Sequence, residues 1–199
     1  MTSRFPLTRL KFRAATALIG ALLLGGCSAV ETVTNLITKP VILPCPDYRI
    51  LADAAYYTTY RPGVGRDLTD VDVEGNFENM RLACLTKMDK KTRVGVMEVD
   101  VILNFVAGRG PANTTRKAEF PYFISVTDLN RKILYREKFK VAVDFEGNLT
   151  GLGFRAEPTT LELPLKPNLT GENYIVYAGF VLTHEQLKLN RARRRQVTR

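Results

Sequence analysis

The sequence has no tryptophan and only one histidine, His184, among its 199 residues. Zinc sites in proteins usually take three or four side-chain ligands, so a lone histidine does not indicate a metal centre. No serine lies in a nucleophile motif that would use His184 as its base. We therefore expect His184 to be a surface or helix-cap residue, and we expect no metal, no cofactor and no enzymatic activity.

Long apolar runs are also missing. The longest, residues 14–24, has about eleven residues, whereas a helix that spans a bilayer core needs about 20. Four basic residues and no acidic residue precede this run: Arg4, Arg9, Lys11 and Arg13. A basic segment followed by a short apolar run predicts a secretory signal peptide over residues 1–26.

The apolar run ends in Leu24-Gly25-Gly26-Cys27, followed by Ser28. These residues match the lipobox, so the chain resembles bacterial lipoproteins. The resemblance implies cleavage before Cys27, a diacylglycerol thioether on its sulfur and an N-linked acyl chain such as palmitate, which together anchor a protein stably. Ser28 in place of aspartate implies the outer membrane, with the folded domain at its periplasmic face. An ordinary signal peptide with a chance cysteine is the alternative.

Basic charge is concentrated at the two ends of the chain. The net charge is +9, to which the signal peptide contributes +4 and residues 188–199 contribute +6. The part between them carries about −1, which argues against nucleic acid as a partner.

Four arginines lie within five residues of the basic end: Arg191, Arg193, Arg194 and Arg195. Guanidinium groups pair bidentately with phosphate and carboxylate. We predict a site here for an anion or a partner, such as an envelope protein, lipopolysaccharide or other lipid phosphates, or peptidoglycan. A solvated basic end without a partner is the alternative.

Cys45 and Cys84 remain as an even pair, in a compartment that would be oxidising. We predict a disulfide that attaches the segment before the domain to an early strand, with two buried free thiols as the alternative. Residues 27–46 are predicted to be an extended, lipidated tether, because three prolines disfavour helix there.

Residues 47–183 largely alternate between apolar and polar side chains, which is typical of strands. In residues 94–106 the apolar positions share one face: Met97, Val99, Val101, Leu103 and Phe105. Similar alternation marks residues 122–126, 133–145, 161–165 and 174–182, whereas 108–118 is predicted to be a flexible polar loop. Six or seven strands without intervening helices predict an all-β domain, an antiparallel sandwich.

The segment from Leu165 through Pro167 and Gly171 to Tyr174 resembles the tyrosine corner of immunoglobulin-like and fibronectin-type domains. The resemblance implies an immunoglobulin-like topology for the sandwich. After the last strand, Thr183 to Gln186 form a capping box. The capping box predicts a short basic helix of about ten residues from His184, within a C-terminal segment of residues 184–199 whose end is frayed.

Two other patterns have alternative interpretations. Residues 70–75, Asp-Val-Asp-Val-Glu-Gly, resemble the start of a calcium loop, but Arg81 occupies the twelfth position, where a glutamate is needed. We therefore favour a half-exposed strand. Tyr56, Tyr57 and Tyr60 would form a sugar- or ligand-binding platform, although packing at a sheet edge is favoured. Residues 47–60 are predicted to be a strand, although residues 51–55 within it could form a helical turn.

Together these features favour a non-enzymatic lipoprotein that acts as an interaction or scaffold module in the bacterial envelope. Two other classes stay open: a hydrolase of envelope polymers that uses an unrecognised pair of carboxylates, and a lipoprotein that binds sugars or small ligands. An acidic cleft would indicate the hydrolase, and a tyrosine-lined groove would indicate the binder.

Overall fold

A computed structural model describes residues 42–197, and this range contains nine strands and one α-helix. The elements are β1 (Asp47–Ile50), β2 (Tyr56–Tyr60), β3 (Val71–Met88), β4 (Gly95–Arg109), β5 (Lys117–Asp128), β6 (Ile133–Asp144), β7 (Gly151–Arg155), β8 (Thr159–Leu165), β9 (Tyr174–Phe180) and α1 (His184–Val197). Short 3-10 turns occur at Ala52–Ala54, Leu68–Asp70 and Gly171–Asn173. The predicted signal peptide, the lipobox with Cys27 and Ser28, and most of the tether lie outside the described residues.

The strands form two sheets. The first has the order β1-β9-β5-β6, and the second has the order β2-β3-β4-β7, with β8 also paired to β4. All of these pairs are antiparallel except β1 and β9, which are parallel. The predicted all-β class is confirmed, since the strands form two sheets that are mainly antiparallel. The prediction that every strand pair is antiparallel is wrong for β1 and β9. Parallel neighbours need a long connection, and here nearly the whole domain separates β1 from β9 in sequence.

The two sheets pack face to face around an aromatic core. The alternating apolar residues of β4 are 0–2% exposed, as their period of two predicted: Met97, Val99, Val101, Leu103 and Phe105. Phe105 of the second sheet contacts Tyr122 and Phe180 of the first, with ring centroids 5.5 and 5.9 Å apart. Removal of this apolar surface from water, worth about 25 cal/mol per Å², is the main force between the sheets.

Two strand features differ from the sequence prediction, and a third decides between two alternatives that the sequence left open. Gly151–Arg155 forms β7, which the prediction did not include, although Leu152 and Phe154 alternate with more exposed residues. The helical turn considered for residues 51–55 is present as the Ala52–Ala54 turn, so that β1 and β2 are separate strands. In β6, Ile133 and Tyr135 are 56% and 40% exposed despite their alternation, because β6 is an edge strand.

The polar loop predicted over residues 108–118 is shorter in the structure, since β4 continues to Arg109 and β5 starts at Lys117. Its centre is held by Asn113, which is buried. The Asn113 side-chain amide donates to Asp72 Oδ1 at 2.8 Å and to the Lys117 carbonyl at 3.1 Å. This satisfied amide joins the polar loop to the sandwich, together with the Gly110 and Ala112 N–H groups, which donate to the carbonyls of Asp72 and Val71 at 2.8 and 3.0 Å.

The predicted disulfide between Cys45 and Cys84 is confirmed, with Sγ atoms 2.04 Å and Cα atoms 5.9 Å apart. It joins the segment before β1 to β3, as the sequence suggested. The Tyr174 hydroxyl donates to the Pro164 carbonyl at 2.7 Å, which connects the start of β9 to β8.

The capping box at the start of α1 is also confirmed. The Thr183 backbone N–H donates to Gln186 Oε1 at 2.8 Å, and the Gln186 N–H donates to Thr183 Oγ1 at 3.2 Å. α1 has 14 residues, a full turn more than predicted. Within residues 42–197, no helix is long and apolar enough to cross a membrane.

Candidate binding site at the C-terminal helix

α1 lies along β2, the outer strand of the second sheet. The Gln186 amide donates to the Thr58 carbonyl at 2.8 Å, and Asn190 Nδ2 donates to the carbonyls of Tyr56 and Asp53 at 2.8 and 3.0 Å. Gln186 and Asn190 are four residues apart in the helix, a rise of about 6 Å. Thr58 and Tyr56 are two residues apart in the strand, a distance of about 6.7 Å, so the two side-chain amides reach alternate carbonyls of β2. α1 thereby satisfies acceptors that an open sheet edge would leave for solvent or another chain.

Asp53 connects two of the four predicted arginines to the sheets. Arg191 Nε lies 3.0 Å from Asp53 Oδ2, and the Arg194 guanidinium contacts the other carboxylate oxygen. The hydrogen bonds from Arg191 and then Arg194 hold the pKa of Asp53 below its usual value. The carboxylate is therefore ionised at neutral pH and holds the basic helix against the domain.

The other two predicted arginines lie at different places on α1. Arg195 Nε donates to the Arg191 carbonyl at 3.4 Å, and its spacing places it on the same helix face as Arg191 and Arg194. Arg193 instead approaches Thr58 Oγ1, 3.5 Å from its Nη1 atom. The structure thus brings three of the four arginines together and separates Arg193 from them.

A groove of about 450 Å³ lies between α1, the Ala52–Ala54 turn and the first sheet, and we call it the arginine groove. Its apolar lining consists of Leu51, Ala52, Ala54, Phe123, Phe180, Leu182 and Leu187. Its charged groups are one carboxylate, Asp53, and three guanidinium groups, Arg136, Arg191 and Arg194. The lining therefore carries two more positive than negative charges.

Two contacts shape the floor of the arginine groove. The Arg136 guanidinium carbon lies 4.1 Å from the centroid of the Phe123 ring, a stacking geometry that orients the cation over an apolar surface. Beneath the groove, a Cβ atom at Gly179 would lie 2.9 Å from Ala54 Cβ and 3.1 Å from the Phe123 ring. A glycine at this position lets the 3-10 turn and the ring approach β9 closely.

A second groove, of about 780 Å³, lies on the other side of α1, against the loop after β2, and we call it the Tyr60 groove. Its apolar part consists of Tyr60, Val64, Leu189 and Ala192, and charges come from Arg66, Glu185 and Lys188. The Arg66 guanidinium lies 5.3 Å from the centroid of the Tyr60 ring. Among the described lining residues, each of the two grooves has one carboxylate, so neither is an acidic cleft.

The three tyrosines do not form the predicted common platform. Successive strand residues point to opposite faces, and Tyr57 therefore enters the core, with its ring centroid 5.7 Å from that of Phe120 and 5.6 Å from that of Phe180. Tyr56 is exposed, and Tyr60 alone of the three lines a described groove. The favoured alternative, packing of tyrosine at the sheet, is confirmed for Tyr57.

The start of the proposed calcium loop has a structural role instead. Asp70 is buried, accepts a hydrogen bond from the Asp67 N–H at 3.3 Å and lies 2.5 Å from Arg61 Nη2. In the part of the chain that the structure describes, no group of three or more His, Cys, Asp or Glu side chains could hold a metal ion. His184 is exposed at the first position of α1.

Sequence analysis missed Asp53, Arg136 and Asn190 as members of the site. Asp53 had a visible signal, since it is the only acidic residue between Asp47 and Asp67. Asn190 is an uncharged polar residue that interrupts a basic helix, which also singles it out. Arg136 had no such signal in the sequence, because it is one of several cations at alternate positions of β6. Only the order of the strands in the sheet brings it near α1.

Comparison with known proteins identifies no relative: no family model, no curated protein and no solved structure matches this chain.

Proposed function

We propose that this protein is a non-enzymatic interaction module, anchored through lipid on Cys27 to the periplasmic face of the bacterial outer membrane. The observation that carries the proposal is the Tyr60 groove. Its lining combines four apolar residues with a few charged ones, and protein interfaces likewise combine apolar residues with polar and charged ones. The groove is open between a helix and a loop, which suits a short peptide segment of an envelope protein.

Exposed apolar side chains in and after the loop that lines the groove support the same function. Val64 is fully exposed in the loop after β2, and Leu68, which follows the same loop, is 85% exposed. Grouped apolar residues at a surface are typical of binding sites, because their exposure to water is unfavourable in isolation. The immunoglobulin-like topology is part of this proposal. The hydrogen bond from the Tyr174 hydroxyl to the Pro164 carbonyl supports it, because the tyrosine of a tyrosine corner also donates to a backbone carbonyl earlier in the chain.

The test of the groove is photo-crosslinking in intact envelopes. A photoreactive amino acid replaces Val64, and in a matched control it replaces Val94, a half-exposed valine between β3 and β4. We expect one discrete protein adduct at position 64 that is absent at position 94. Ala192→Trp, which fills the groove, is expected to reduce that adduct. Equal adducts at both positions, or none at position 64, would contradict the proposed interface.

The anchor is tested separately with Cys27→Ser. An acyl-chain label is expected to enter the unaltered protein and not the variant, and only the unaltered protein should fractionate with outer membranes. Labelling of both proteins, or of neither, would overturn the lipid anchor while leaving the groove experiment interpretable.

A further inference from the structure

The arginine groove is a second binding surface, separate from the Tyr60 groove. We propose that it binds the headgroup of an amphiphilic phosphomonoester, that is, a lipid whose phosphate is attached through a single ester bond. This goes beyond the interaction function above, because it assigns a different surface and a different chemical class of ligand. Three features of the groove carry the inference: its charge, the state of Arg136 and its apolar floor.

The charge of the groove matches a dianion. Asp53 neutralises one of the three guanidinium groups, so the lining has a surplus of two positive charges. A phosphomonoester carries about −1.5 to −2 at pH 7, whereas a phosphodiester carries one negative charge. Because Asp53 bonds both Arg191 and Arg194, it also orients the two guanidinium groups side by side on one face of α1.

Arg136 supplies the third cation. Within residues 42–197 the structure shows no carboxylate paired with Arg136, whose recorded contact is the one with the Phe123 ring. Stacking on a ring face leaves the in-plane N–H groups of a guanidinium available as donors. Arg136 belongs to the first sheet and the other two arginines belong to α1, so an anion in the groove would bridge the two elements.

The floor explains why the ligand is an amphiphile rather than free phosphate. Leu51, Leu182 and Leu187 are among the seven apolar residues that line the groove, and all three are partly exposed. Inorganic phosphate would pair with the guanidinium groups but leave these side chains to water, whereas hydrocarbon next to the phosphate would cover them. A volume of about 450 Å³ is that of a small-ligand site, enough for a headgroup and its first methylene groups.

The first experiment titrates the purified full chain, in nonionic detergent, with four probes and follows binding by calorimetry. The probes are hexyl phosphate, the corresponding ethyl hexyl diester, inorganic phosphate and hexyltrimethylammonium. We expect hexyl phosphate to bind at least tenfold more tightly than each of the other three. Equal affinity for inorganic phosphate would overturn the role of the floor, and equal affinity for the diester would overturn the charge match.

Variants locate the site. Arg136→Gln is expected to weaken hexyl phosphate binding at least tenfold. Arg193→Gln, the same change at an arginine of α1 that does not line the groove, should leave binding unchanged. Arg136→Lys should recover only part of the affinity, because lysine has the charge but not the bidentate fork. Unchanged thermal melting of each variant controls for folding. Equal loss in Arg136→Gln and Arg193→Gln would refute the assignment, as would no loss in either.

The last arm tests whether a lipid is the source of the phosphate. The full chain is reconstituted in phosphatidylcholine vesicles with photoactivatable phosphatidic acid, a monoester, or phosphatidylglycerol, a diester. We expect severalfold more crosslinking to phosphatidic acid, and Arg136→Gln should remove the difference. Equal crosslinking to both lipids would overturn the lipid source. These vesicles contain no other protein, so the result is independent of the partner proposed for the Tyr60 groove.

Discussion

The two sheets and the α1 helix are joined to the same framework by different kinds of contact. Between the sheets, rings such as Phe105 and Phe180 are 1% exposed and are surrounded by other apolar side chains. Between α1 and the sheets, the contacts are hydrogen bonds from the amides of Gln186 and Asn190 and the ion pairs of Asp53. The sandwich therefore depends on buried apolar area, and the helix depends on a few individual polar groups.

This difference implies unequal stability within one domain. Apolar burial is spread over many residues and does not depend on pH. Each polar contact of α1 depends on one donor and one acceptor, and the contacts of Arg191 and Arg194 also depend on the ionised carboxylate of Asp53. Elements with few buried apolar contacts open locally before the whole domain unfolds, so we expect α1 to detach while the sandwich stays folded. That behaviour would couple both binding grooves to the docking of one helix.

The largest effect is expected for a core substitution. Phe105→Ala removes a ring that contacts both sheets, and replacement of a buried phenylalanine by alanine costs about 3–5 kcal/mol. Urea unfolding followed by circular dichroism measures this loss. Val106→Ala, on the outer face of the same strand, is the control and should cost less than about 1 kcal/mol. Similar losses from both changes would show that the core is not concentrated on the inner face.

An intermediate effect, confined to α1, is expected for Asn190→Ala. The change removes the donor to two carbonyls, those of Asp53 and Tyr56, and buried acceptors without a partner cost about 1–3 kcal/mol. Hydrogen exchange should become faster in α1 and stay unchanged in β4. Gln196→Ala, at an exposed position of the same helix, is expected to change neither. Faster exchange throughout the domain would instead show that α1 unfolds together with the sandwich as one cooperative unit.

The smallest effect is expected on acidification. The pKa of Asp53 is lowered in the folded protein by its hydrogen bonds to Arg191 and Arg194, from an ordinary value of 3.8. Stabilisation of the docked helix is therefore fully present above pH 3.8 and is lost as the pH falls through the lower, folded-state pKa. Exchange in α1 should accelerate in that acidic range relative to β4.

Two carboxylate variants test the cause of this pH dependence. In Asp53→Asn, acidification should no longer accelerate hydrogen exchange in α1 relative to β4. The pKa of Asp47 is also lowered, by its hydrogen bond to Arg49 in β1, but Asp47 does not contact α1 through any hydrogen bond that the structure describes. Asp47→Asn should therefore leave the response intact, and loss of the response in that variant would contradict the role of Asp53.

Local patterns predicted the local structure well. The alternation of Met97 to Phe105 marked a buried strand face, and the pair Thr183 and Gln186 marked the start of α1, because both patterns arise within one element. Prediction failed where a second element decided the outcome. Ile133 alternates like Val99, yet it is exposed, because β6 lies at the edge of its sheet whereas β4 lies between two strands. The adjacent tyrosines were considered as one binding surface, but successive residues of a strand point to opposite faces, so Tyr57 enters the core and Tyr56 is exposed.

The sequence by itself determined the β-rich class, the pairing of Cys45 with Cys84 and the capped basic helix, since composition, cysteine number and short-range hydrogen bonding specify these features. The proposed membrane anchor at Cys27 rests on the sequence alone, through the lipobox. Tertiary structure alone decided that β1 lies parallel to β9 and that Asp53 holds α1 against the sheets. It alone also brought Arg136 beside Arg191 and Arg194. These contacts join residues far apart in the chain, and no local periodicity encodes which distant groups will be neighbours.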